Sequence, residues 1–179
     1  MNAAYSNQSL FQDMQTKDTK LFRITPAKRL AYALVGLLAG DLMLFVFLLQ
    51  HALHATLLAG EPAHLISDAV QMFILYMIFS FVGWLFVGMP TALLFPARSI
   101  TRLSWPLAVL VGLVLGLPAL FVIFALLGSS HIYFDNFVEV GTLLAYTVLV
   151  STVSFVVYLA LLRKEMMKSR LVSSTRFVH

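Results

Sequence analysis

The sequence predicts an all-α, polytopic integral membrane protein: a bundle of four transmembrane helices, N-in and C-in. Three observations carry this expectation. The 179 residues are 60% hydrophobic and 11% charged, where a soluble domain holds roughly 25% charged residues. The apolar residues gather into four runs, each near the roughly 20 residues needed to cross a hydrocarbon core about 30 Å thick. And every Lys and Arg lies on one side of those runs. Backbone groups inside lipid must pair within the chain, so each run is expected to be a helix.

Residues 1–28 form a polar N-terminal tail. The first span is expected over about 30–52, with helix continuing towards Ala59. Gly60-Glu61-Pro62 marks the turn after it. The second span covers about 70–95 and holds Pro90, where a lost hydrogen bond predicts a kink. Pro96 to Ser104 connects to the third span, about 106–127. Pro106 suits its first turn, and Pro118 predicts a second kink. Gly128 to Phe137 leads to the fourth span, about 138–162. Residues 29–163 thus make one domain, followed by a basic tail over 164–179.

Charge sets the orientation. Lys17, Lys20, Arg23, Lys28 and Arg29 precede the first span. Arg98 and Arg102 separate the second from the third. Arg163, Lys164, Lys168, Arg170 and Arg176 follow the fourth. The other two connections have no basic residue and carry Glu61, Asp68, Asp135 and Glu139. By the positive-inside rule both termini and the middle loop are cytoplasmic, as in a bacterial inner-membrane protein. Tyr32 and Trp105 at one edge and Tyr76, Tyr133 and Tyr146 towards the other fit interfacial anchors.

The net charge of +4 therefore points to anionic lipid headgroups, attracted by roughly 1 kcal/mol per nearby basic residue. It does not point to nucleic acid, because the aromatic interleaving and basic groove of such a binder are missing. The absence of cysteine excludes disulfides, thiolate metal sites and Cys nucleophiles. His-Glu-x-x-His and a phosphate-binding Gly-Lys-Ser/Thr are missing too. Gly128-Ser129-Ser130-His131 reads as a turn rather than a triad. No enzyme activity and no cofactor are expected.

Asp41 is the most informative residue. It lies twelve residues after Arg29, about 18 Å along a helix, and so near mid-membrane. A carboxylate there costs about 2.5–3.5 kcal/mol on insertion scales, so it should face other helices and be hydrogen-bonded. Ser80 and Gly83 of the second span fall at similar depth, as do Ser151, Thr152 and Ser154 of the fourth. The carbonyl of Val114, freed by Pro118, is a further acceptor. Asp41, Ser80, Ser151 and Thr152 are the candidate intramembrane polar site. The simple role for it is an interhelical hydrogen bond; the alternative is a proton- or ion-responsive group.

Gly36-x-x-x-Gly40 and Gly112-x-x-x-Gly116 allow close helix approach. They are expected to pack the first span against the third. Their surroundings, Gly-Leu-x-x-Gly-x-x-x-Leu-Phe-Val, are shared, as in two parallel hairpins related by an axis along the membrane normal. A candidate polar cluster lies on the outer face: His51, His54, Glu61, His64, His131 and Asp135. His51 and His54 share a helix face at i, i+3. Metal binding or pH sensing is conceivable there, but polar capping of spans at a wet interface is the simpler expectation, with no bound metal.

The expected function is that of a non-catalytic membrane protein acting through helix and protein–protein contacts, as an accessory, regulatory or toxin-immunity subunit. Its partner would be another membrane protein or a second copy. The alternative is a small transporter or channel subunit centred on Asp41.

Overall fold

The computed structural model describes residues 24–58, 64–127 and 137–175. Within these residues the chain is helical throughout, apart from short connections. Helix α1 spans Pro26–Leu58. Proline suits its first position, and Thr25 caps it, its hydroxyl accepting from the Lys28 N–H at 3.4 Å. The second span is continuous from α2 (His64–Gly83) through a π-helical turn (Trp84–Gly88) into α3 (Met89–Leu94). The disturbance expected at Pro90 takes this form. The π turn lies just upstream, with the Met89 N–H donating to the Trp84 carbonyl. Phe95 is extended, as the residue before a proline prefers. A short α4 (Ala97–Thr101) follows.

Helix α5 covers Trp105–Leu127, and Pro118 lies inside it without ending it. Helix α6 runs from Phe137 to Thr175, 39 residues, or about 58 Å at 1.5 Å per residue. It thus continues well past Leu162, through most of the segment expected to be a basic tail. Arg163-Lys164-Glu165-Met166-Met167-Lys168 are all good helix formers, so the helix has no reason to stop where the apolar run stops.

Among the described residues, four helical stretches are long and apolar enough to cross a membrane: Pro26–Leu57, His64–Leu94, Trp105–Val122 and Gly141–Lys168. Each runs antiparallel to the next. Ala33, Gly36, Leu37, Gly40, Asp41 and Leu44 make one buried stripe on α1, at the i, i+3, i+4 spacing of a helix face. Between them Leu34, Val35, Leu38, Leu42 and Met43 point outward. On α5 the buried residues recur every fourth position: Ala108, Gly112, Gly116 and Leu120.

Both glycine stripes end on α6. A Cβ added to Gly36 would strike the Ser154 backbone carbonyl, and one on Gly40 would sit 2.6 Å from the Val150 carbonyl oxygen. On Gly112 it would lie 2.7 Å from Thr152 Cα, and on Gly116 2.7 Å from Ser151 Oγ. The expected packing of the first span on the third is therefore corrected. The two motifs clamp α6 from either side. The reason is that α6 carries Ser151, Thr152 and Ser154 in a row, so neighbouring backbones can approach it from more than one direction. A symmetric pair of hairpins would have sent the second motif onto the second span, so the packing does not follow the sequence repeat.

The end of the bundle that carries Arg29 and Arg163 is tied together by main-chain contacts. The Arg29 guanidinium donates to the carbonyls of Leu93, at 3.4 Å, and Phe95. Arg163 donates to those of Thr101, at 3.3 Å, and Leu103, and lies 4.6 Å over the Trp105 ring. These carbonyls sit at helix ends, where intrahelical donors run out. Lys28 pairs with Glu165 at 2.8 Å on the exposed surface. Beneath them Ala33, Ala92, Ile100, Ala108, Phe155, Tyr158, Leu159 and Leu162 form the larger buried cluster.

Candidate functional site

Among the described residues, Asp41 is the buried charged one, 4% exposed. Its place follows from the stripe that buries Leu37 and Leu44: a residue four after the one and three before the other shares their face. On the second span, the inward stripe includes Tyr76, Ser80, Gly83 and Trp84. Ser80 Oγ donates to Asp41 Oδ1 at 2.6 Å, a short, charge-assisted geometry when the acid is ionised. The structure thus brings Asp41 and Ser80 together.

Ser151 and Thr152 lie elsewhere. Ser151 Oγ is 2.7 Å from the Gly112 carbonyl of α5 and 3.1 Å from the Val148 carbonyl of its own helix. The Thr152 Cα faces Gly112, and its buried hydroxyl has no partner. Both residues belong to the α5–α6 seam. Val114 is 56% exposed, on a face of α5 turned away from the bundle, so its carbonyl is not the acceptor that Asp41 finds. Thr147 satisfies its hydroxyl on the Leu143 carbonyl one turn back, at 2.8 Å.

The outer cluster is not gathered among the described residues. His51 and His54 are exposed on α1. His64 Nε2 lies 3.9 Å from Asp68 Oδ2 one turn along its own helix, both exposed. Glu61, His131 and Asp135 lie outside the described residues. Among the described residues no three His, Cys, Asp or Glu come together in a way that could hold a metal ion.

What sequence reasoning missed is a pocket. A half-open pocket of about 110 Å³ lies between the helices, lined by residues of all four spans. Leu37, Ser80, Trp84, Ser154, Phe155 and Tyr158 are among its lining residues, and none of the lining residues is charged. Asp41 stands behind Ser80 rather than in the wall. At the end away from Arg29, Tyr76 and Tyr146 meet edge-on, 5.2 Å between ring centroids. Trp84, the first residue of the π turn, stacks on Phe81 at 5.8 Å. Among the described residues, Trp84 Nε1, Ser154 Oγ and Tyr158 OH are buried atoms with no hydrogen-bond partner, on residues that border the pocket. The readable trace of this feature is Gly83-Trp84 followed by Gly88-Met89-Pro90, a Trp between two glycines just ahead of a proline.

No known protein family, curated protein or solved structure matches the chain.

Proposed function

We propose that the chain is a multi-pass protein of a bacterial inner membrane, both termini cytoplasmic, that works without catalysis through helix and protein–protein contacts, as an accessory, regulatory or toxin-immunity subunit. The observation that supports this is the setting of the second span. It turns only a narrow stripe inward and leaves Met72, Ile74, Leu75, Met77, Ile78, Phe81, Leu85 and Phe86 exposed on its flanks. In lipid, helices associate by close packing rather than by escape from water. A peripheral span with two free flanks of Met, Ile, Leu and Phe is suited to receive another helix. The basic end, with Lys28, Arg29 and Arg163 around the middle loop, suits anionic headgroups. The test is cross-linking in native membranes followed by purification in mild detergent. A stoichiometric second membrane protein, or a second copy, is expected, and its yield should fall when Leu75, Ile78 and Phe86 are replaced by Ala. A chain recovered alone under those conditions would contradict the reading.

A second reading, a small transporter or channel subunit, draws on the Asp41–Ser80 pair beside the half-open pocket. Asp41→Asn separates the two. Loss of transport or of proton coupling with normal protein level and assembly would favour transport. Loss of folded protein alone would make Asp41 a structural residue.

A further inference from the structure

We infer that the groove between α6 and the connection ahead of α5 is a binding site for one anionic phospholipid, its phosphate held by Arg102 and Lys164 and an acyl chain laid along Val109 and Ala160. The basic residues at this end differ in how they are used. Arg29 and Arg163 donate to main-chain carbonyls. Lys28 is paired with Glu165. Arg102 and Lys164 are exposed instead.

Arg163 brings these two together. Its guanidinium reaches the carbonyls of Thr101, at 3.3 Å, and Leu103, the residues on either side of Arg102. Lys164 follows Arg163 on α6, about 100° further round the helix. Two long side chains that flank one anchor in this way can converge on a single phosphate. Their height is set by Trp105. Arg163 lies 4.6 Å over its ring, and Trp105 is 49% exposed at the start of the third span. Tryptophan favours the headgroup level, so Arg102 and Lys164 stand level with lipid phosphates. Below them Val109, one turn on from Trp105, and Ala160, one turn back from Lys164, are both exposed. They leave an apolar track along the α5–α6 seam.

The chemistry selects the occupant. A guanidinium matches phosphate oxygens with two parallel donors, and an ammonium adds a point charge. Two cations about one phosphate leave positive charge over, which the ammonium of a zwitterionic headgroup would oppose and a net anionic lipid would balance. The track below favours a lipid over free phosphate, which has no chain to lay there. The site rests on the reading above that the basic end meets anionic headgroups, and it names the residues that do so. The test uses the full chain purified in mild detergent, with bound lipid counted on the folded protein by native mass spectrometry. The probes are phosphatidylglycerol and phosphatidylcholine with the same acyl chains. One phosphatidylglycerol should bind at least roughly five-fold more tightly than phosphatidylcholine, the worth of one basic residue near an anionic surface.

Four variants sharpen the test. Arg102→Ala and Lys164→Ala should each weaken phosphatidylglycerol binding roughly five-fold and leave phosphatidylcholine unchanged. Lys164→Arg should keep the binding. Lys28→Ala removes one charge from the same end, at a residue paired with Glu165, and should leave the binding nearly unchanged. An equal loss in all three Ala variants would show diffuse attraction, overturning the site while the reading of the basic end stands. Equal binding of the two lipids would overturn both. Displacement of phosphatidylglycerol by inorganic phosphate would overturn the assignment to a lipid.

Discussion

The seams of α6 against α1 and α5 and the seam of the second span against the rest follow opposite packing rules. In the first, Gly36, Gly40, Gly112 and Gly116 bring backbone against backbone, with no room for a methyl group. In the second, Tyr76, Phe79 and Trp84 meet the bundle as large, rigid shapes, and the residue of their fit is a pocket. The difference teaches how this chain divides its labour. Close approach of small residues maximises dispersion contacts, which hold helices together in lipid. Bulky aromatic residues on a helix interrupted by a π turn leave a half-open pocket instead.

The sharpest way to break that contrast is to crowd the glycine seams. Gly40→Leu should cost about 3 kcal/mol, at the upper end of overpacking penalties, because the new side chain meets the Val150 carbonyl. Thermal unfolding in mild detergent reads this as a large loss of midpoint or of folded protein. A near-normal midpoint would mean the seam is looser than described.

The next effect belongs to the basic end. Arg163→Ala should cost about 1–2 kcal/mol, from lost hydrogen bonds to helix-end carbonyls and lost contact with Trp105. It should also make the connection around Ser104 more open to limited proteolysis. Arg163→Lys should rescue only part of this, because an ammonium does not reproduce the guanidinium fork.

A glycine outside the seams gives the opposite sign. Among the described residues nothing lies within 4 Å of a Cβ added to Gly141 on α6, so Gly141→Ala should stabilise the helix by about 0.5 kcal/mol, a small rise in the same melt. The smallest effect is expected from the exposed Lys28–Glu165 pair. Replacing either by Ala should leave the midpoint within error, since surface pairs contribute little.

Much of the fold was legible because it rests on local rules. Span length, the proline in the first turn of α5 and the level of Asp41 opposite Ser80 all follow from rise per residue and composition. What stayed hidden depends on which faces meet. Gly36-x-x-x-Gly40 announces close approach but not its partner, and Ser151, Thr152 and Ser154 on α6 competed with the matching motif on α5. Arg29 and Arg163 read as topological markers, because a sequence does not show which carbonyls lie within reach. The length of α6 exceeds its apolar run, which stops near Leu162, because helix-forming residues continue. The pocket had no direct signal. Such a space is a property of four helices together, and only the Gly83-Trp84 and Gly88-Met89-Pro90 spacing hints that the second span is irregular there.

The central claim, that both glycine motifs grip α6 and not each other, can be read from one cross-linking comparison in a chain with no cysteine of its own. A Cβ on Gly36 lies 3.5 Å from Tyr158 Cβ, within disulfide range. Gly36→Cys strains the seam against the Ser154 carbonyl in both double variants, so the comparison is read on the folded fraction: in membranes under mild oxidation, that of Gly36→Cys/Tyr158→Cys should cross-link, and that of Gly36→Cys/Gly112→Cys should not. Efficient bonding of the second pair and none of the first would contradict the account.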